Sequence, residues 1–145
     1  MMDFEAGQRW HYHTREGEEQ STLGILRREV NSGRVLLHIR IEDIILPNPR
    51  AEKGIQTVLG HTPISAEALE KSVTFRAEQA FVPDDFSGYE TWREAFIRQE
   101  AGVFTISVKE ILDVVEQGAA AGLTKPKQDF NPVFLKINKA NKELL

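Results

Sequence analysis

Polar and apolar residues alternate along Gln8–Arg15, where Trp10, Tyr12 and Thr14 take turns with Arg9, His11, His13 and Arg15. A period of two predicts a half-buried strand. Ser21–Val30 is rich in Leu and Ile but alternates less clearly. Arg34–Asp43 alternates cleanly again: Val35, Leu37, Ile39 and Ile41 point one way, Arg34, His38, Arg40 and Glu42 the other. Gly17 turns the chain at Glu16–Gln20, and Asn31-Ser32-Gly33 is a three-residue hairpin signal with Gly33 in the left-handed position. Pro47 and Pro49 stop the third strand. The first third of the chain is therefore expected to be a three-strand antiparallel meander. One face is apolar and the other is crowded with Arg and His.

Further on, Ile55–Leu59 can add a short strand. Ser65 fits the N-cap of a helix through Ala66, Leu69, Val73 and Ala77, although Val73, Phe75 and Ala77 fit a strand equally well. Pro83-Asp84-Asp85 reads as a loop. Ser87-Gly88-Tyr89-Glu90 and Ser107-Val108-Lys109-Glu110 each have capping-box form. Tyr89, Trp92 and Phe96 follow the first on one helical stripe; Val108, Ile111, Leu112 and Val115 follow the second. Gly102–Ile106 reads as a short strand. Strands followed by helices predict an α+β fold: an antiparallel meander of three to five strands with about three helices on one face.

The 145 residues fit a single domain, assigned to 1–123, with an appendage at 124–145. The domain holds 13 Lys/Arg against 20 Asp/Glu, a net −7, and its cations are mostly Arg. The appendage carries five Lys, two acids and three of the five Asn, and it can wrap the body through Phe130, Val133, Phe134 and Ile137. The absence of cysteine removes thiolate chemistry, disulfides and Cys-based metal sites. No stretch has the form of a signal peptide or a membrane span, so a cytoplasmic protein is expected.

If strands one and three both pair with strand two, Arg9, His11, His13, Arg15, Arg34, His38 and Arg40 share one surface. On an acidic body such a surface would attract an anionic partner. The plain alternative is a set of solvated side chains paired with Glu29, Glu42 or helix carboxylates. His11-x-His13, with His38 as a third ligand, has chelating form but lacks a carboxylate at ligand spacing, so no metal and no cofactor are assigned. Glu16, Glu18 and Glu19 at the first hairpin tip fit contacts to another protein. No nucleophile elbow, P-loop, dinucleotide fingerprint or zincin motif is present. Nucleic acid suits neither the acidic pI nor the lack of stacking aromatics among the arginines.

The runs GQRWHYHTREGEEQSTL, LGHTPISAEAL and GVFTISV resemble a family of small bacterial proteins of unknown function. The resemblance spans Gly7 to Val115 and implies a bacterial source and a stand-alone domain. It carries no site residues. The function expected is a non-enzymatic protein-binding domain of immunity or inhibitor type. The alternative is a binder of an anionic small molecule, or a small enzyme, using the Arg/His face with His13 or His38 as acid–base. A third reading, an oligomerising module, requires an exposed apolar patch.

Overall fold

A computed structural model describes residues 2–120, so the Lys/Asn-rich appendage and its wrapping residues lie outside the described residues. Its centre is a long hairpin of β2 (Thr22–Asn31) and β3 (Arg34–Pro47). Asn31 pairs with Arg34 across a two-residue loop, not the three-residue loop expected. Both loop residues have positive φ, Ser32 at 51° and Gly33 at 79°. Two such residues form the hairpin turn whose twist matches the strands. β4 (Ile55–Ser65) pairs with β3, and β1 (Arg9–Tyr12) pairs with β2 on the other side. β5 (Val73–Arg76) closes the far edge against β1, giving the order β4-β3-β2-β1-β5. Among the described residues the fold is the expected α+β antiparallel meander with three helices, although these divide between the two faces of the sheet instead of sharing one.

Helix α1 (Ala66–Ser72) starts on the Ser65 cap, whose hydroxyl accepts from Ala68 N–H. It ends after seven residues, where β-branched Val73 and Thr74 return the chain to strand. Helix α3 (Val108–Ala120) begins with a complete capping box. Ser107 Oγ accepts from Glu110 N–H, and Glu110 Oε1 accepts from Ser107 N–H. Helix α2 (Ser87–Ile97) departs from expectation, because Phe86 holds the N-cap position without a side-chain cap. Ser87 donates backward to Asp85 instead. The strand expected at Gly102–Ile106 reduces to one parallel bridge, Phe104 beside Ile64.

Both faces of the sheet are covered. On the first, Leu23, Ile25, Leu37, Ile39, Ile41 and Ile64 pack with Leu69 of α1 and with Val108, Ile111 and Leu112 of α3. On the opposite face Leu36 packs with Trp92 and Phe96 of α2 and with Ala101 and Val103. That second layer decides the fate of the polar face.

Candidate functional site

The segment after β5 doubles back over the polar face, with Ala77 N–H donating to Arg9 O and Phe81 N–H to Gly7 O. This brings Phe81, 3% exposed, directly onto Gly24 of β2. A Cβ on Gly24 would lie 2.1 Å from two Phe81 ring carbons, so only glycine admits the ring. Gly24 pairs with Arg9 on one side and Arg40 on the other, and directly opposed residues share a face. Their guanidiniums consequently flank Phe81 at 5.5 and 5.3 Å from its centroid. Both are also paired with carboxylates: Arg9 with Glu42, and Arg40 with Asp84 at 3.4 Å.

Next along β3, His38 is fully buried beneath α2, against Tyr89 and Trp92 at 4.7 Å between ring centroids. Its Nε2 lies 2.6 Å from Glu29 Oε1, and its Nδ1 lies 2.9 Å from His61 Nε2. An ionised carboxylate only accepts, which fixes the His38 proton on Nε2 and makes His61 Nε2–H the donor to His38. Burial, then the Arg27 and Arg93 guanidiniums, hold His38 far below the ordinary imidazole range. Burial and neighbouring His38 do the same to His61. Glu29 also faces Arg93 at 3.5 Å and the Tyr89 hydroxyl. Gly88 permits this closure, since a Cβ there would come within 2.7 Å of His61 Cβ. The arrangement is a hydrogen-bonded polar core joining α2 to the sheet.

The structure therefore corrects the expectation of one open Arg/His wall. Arg9 and Arg40 do share a face, but they clamp a loop phenylalanine. His38 is sealed under a helix, His11 stacks on Phe75 at 4.3 Å, and exposed His13 lies beyond the end of β1. Arg34 is exposed at the β2–β3 turn. Among the described residues no group of three His, Asp or Glu is placed to hold a metal ion, so His11, His13 and His38 do not converge on one. An open groove of about 580 Å³ runs past Arg9, His11, Thr22, Phe75 and Arg76, and neither His38 nor Arg40 lines it.

Arg15 belongs to a different locality, the end of the molecule where the β1–β2 loop, the end of β3 and α3 meet. Its guanidinium donates to Glu18 at 2.8 and 2.7 Å, to Asp113 at 3.2 Å, to Glu116 at 3.0 Å and to Ile45 O at 3.2 Å. Glu18, expected as a protein contact, is 3% exposed and also accepts from Ile45 N–H at 2.7 Å. Burial pushes its carboxyl upward, but the Arg15 and Ile45 hydrogen bonds outweigh this and hold it below the usual range. Glu16 and Glu19 remain exposed at the tip, where Glu19 accepts from Gly17 N–H. Ile45, whose backbone binds Arg15 and Glu18, is 48% exposed.

Sequence reasoning did not single out His61, Gly24, Phe81, Asp113 or Glu116. A lone glycine inside the aliphatic run of β2 is a recognised sign of close backbone approach. Asp113 and Glu116, three apart on a helix, fall on one face. No family model matches the chain, and neither a curated protein nor a solved structure shows significant similarity to it.

Proposed function

We propose that this chain is a non-enzymatic protein-binding domain of inhibitor or immunity type, and that it meets its partner through the acidic end around Arg15. One observation carries the reading. Among the described residues Arg15 ties Glu18, Asp113 and Glu116 together at the end whose hairpin tip exposes Glu16 and Glu19, and exposed Ile45 joins the group through its backbone bonds to Arg15 and Glu18. A solvent-facing apolar residue inside a charged rim has the anatomy of a protein interface. The excess of negative charge selects a partner with a cationic surface and speeds the encounter. Arg15 fixes the positions of three of the carboxylates, so the surface is organised before binding.

The anionic-ligand reading draws less support, because the cations it needs are engaged internally. Arg9 pairs with Glu42, Arg40 with Asp84, and His38 with Glu29 and His61. No helix among the described residues is long and apolar enough to cross a membrane. The cysteine-free chain suits a reducing compartment, and the cytoplasm is the setting proposed.

The test compares isotope-coded affinity capture by the intact chain and by a Glu16→Lys/Glu19→Lys/Ile45→Asp variant of unchanged circular dichroism. The reading expects a basic protein enriched by the first and lost from the second by about tenfold or more. Identical capture profiles would overturn it.

A further inference from the structure

Between Phe81 and Phe104 the chain makes one excursion across the polar face of the sheet. Backbone bonds pin it at both ends, Phe81 N–H to Gly7 O and Phe104 N–H to Pro63 O. Between the pins, α2 is lightly held. It buries only Trp92 and Phe96, its N-cap residue Phe86 gives it no side-chain cap, and the Trp92 indole N–H is used within the excursion, on Gly102 O. Among the described residues Leu36 is the one sheet residue in its buried apolar cluster. Its polar attachments to the sheet run through Arg27, Glu29, His38 and His61, which meet Tyr89, Trp92 and Arg93. The larger core, on the opposite face, draws on none of these residues.

We infer that this excursion is an acid-released latch, in which α2 lifts from the sheet once His38 and His61 both take a proton while the opposite core stays folded. The hydrogen bonds of the pair set the proton count. Closed, His38 donates Nε2–H to Glu29 and accepts His61 Nε2–H at Nδ1. A first proton at His61 Nδ1 keeps both bonds. A second has only His38 Nδ1 to go to, and there it turns a 2.9 Å hydrogen bond into two N–H groups facing each other. Charge works in the same direction. Glu29 is the carboxylate in contact with the pair, and it already faces Arg27 of β2 at 4.0 Å and Arg93 of α2 at 3.5 Å. The Tyr89 hydroxyl, held above its ordinary range by burial, adds no charge there. Closed, burial foremost holds both imidazoles down at about 3. Lifted, each returns to its ordinary value near 6.5, so opening grows easier as pH falls below that value. Between pH 7.5 and 5 each imidazole raises the opening equilibrium by about 30-fold, and the two together by about a thousandfold. The latch shares no residue with the acidic end around Arg15, so it stands apart from the protein-binding reading.

The test is amide hydrogen exchange of the full 145-residue chain at pH 7.5 and 5, corrected for intrinsic rates. Protection of the Ala95, Phe96 and Ile97 amides in α2 should fall by about a thousandfold. At pH 5 the amides of Ile39 in β3 and Leu112 in α3 should stay at least about tenfold better protected than those three. His61→Gln removes one titrating group but keeps an N–H for His38, and should cut the α2 loss to about 30-fold or less. His61→Leu should do the same without that donor. Acid destabilisation of the whole chain would instead bring α2 and the core to one common protection. Equal protection of α2 and the core at pH 5, α2 protection that ignores pH, or a thousandfold loss that survives both substitutions would each overturn the inference.

Discussion

Replacing Gly24 by alanine adds one methyl group, and the structure gives that methyl nowhere to go. The new Cβ would overlap the Phe81 ring at 2.1 Å from Cγ and Cδ1, far inside any van der Waals contact. β2 cannot retreat, because Gly24 is paired on both sides, to Arg9 and to Arg40. The ring must leave instead. The cost is then bounded by what Phe81 contributes when seated, about 3–5 kcal/mol for a buried phenylalanine truncated to alanine. Gly24→Ala should lie near the lower end, about 3 kcal/mol, because an evicted ring keeps some contacts. A loss of that size is a large share of the 5–15 kcal/mol typical of a domain. The decisive measurement is a double-mutant cycle by urea denaturation. Phe81→Ala removes the obstacle, so adding Gly24→Ala to it should cost less than about 0.5 kcal/mol, giving a coupling near 3 kcal/mol. Additive losses, or a Gly24→Ala midpoint within about 0.5 kcal/mol of the parent, would refute the seating of Phe81 on Gly24.

Other outcomes follow from single contacts. The buried His38 and half-buried His61 imidazoles are held below their ordinary value near 6.5, so the unfolded chain binds more protons in acid. Their contribution is whole above pH 6.5 and is lost as pH falls, by about 2 kcal/mol per imidazole at pH 5. Urea midpoints at pH 7.5 and 5 should show this loss, and His61→Leu should reduce it; a loss at pH 5 unchanged by that substitution refutes the assignment. Thr62 is 1% exposed and its hydroxyl has no hydrogen-bond partner, so Thr62→Val should raise stability by about 1 kcal/mol in thermal melts. Ser107→Ala removes the hydroxyl that accepts from Glu110 N–H, leaving the Ser107 N–H to Glu110 half of the α3 capping box, and should cost about 1 kcal/mol, whereas Ser87→Ala, off the cap of α2, should cost less than about 0.5.

The meander was legible because its signals are local. Alternation along Arg34–Asp43, the Asn-Ser-Gly turn and the Ser65 and Ser107 caps all act within a few residues. The polar face was misread for a related reason. Alternation says that His38 and Arg40 share a side, but not what covers that side. The cover comes from Phe81 and from Trp92, 43 and 54 positions beyond His38, and nothing near His38 announces either. The Ser87 capping box failed because Asp85 competes for the same serine with a shorter reach. At the acidic end, the tip glutamates were visible, but the guanidinium that organises them had been assigned to the sheet. Its two helical partners lie about a hundred residues away, at Asp113 and Glu116.

That separation also orders events in time. Arg15 and Glu18 leave the ribosome early, and the β-hairpins can close before α3 is made, yet two of the five carboxylates at that end arrive only with α3. A nascent or prematurely stopped chain lacking Asp113 and Glu116 leaves Arg15 with only Glu18 and the Ile45 carbonyl among these partners, so the surface proposed to bind a partner would be complete only once α3 has been translated.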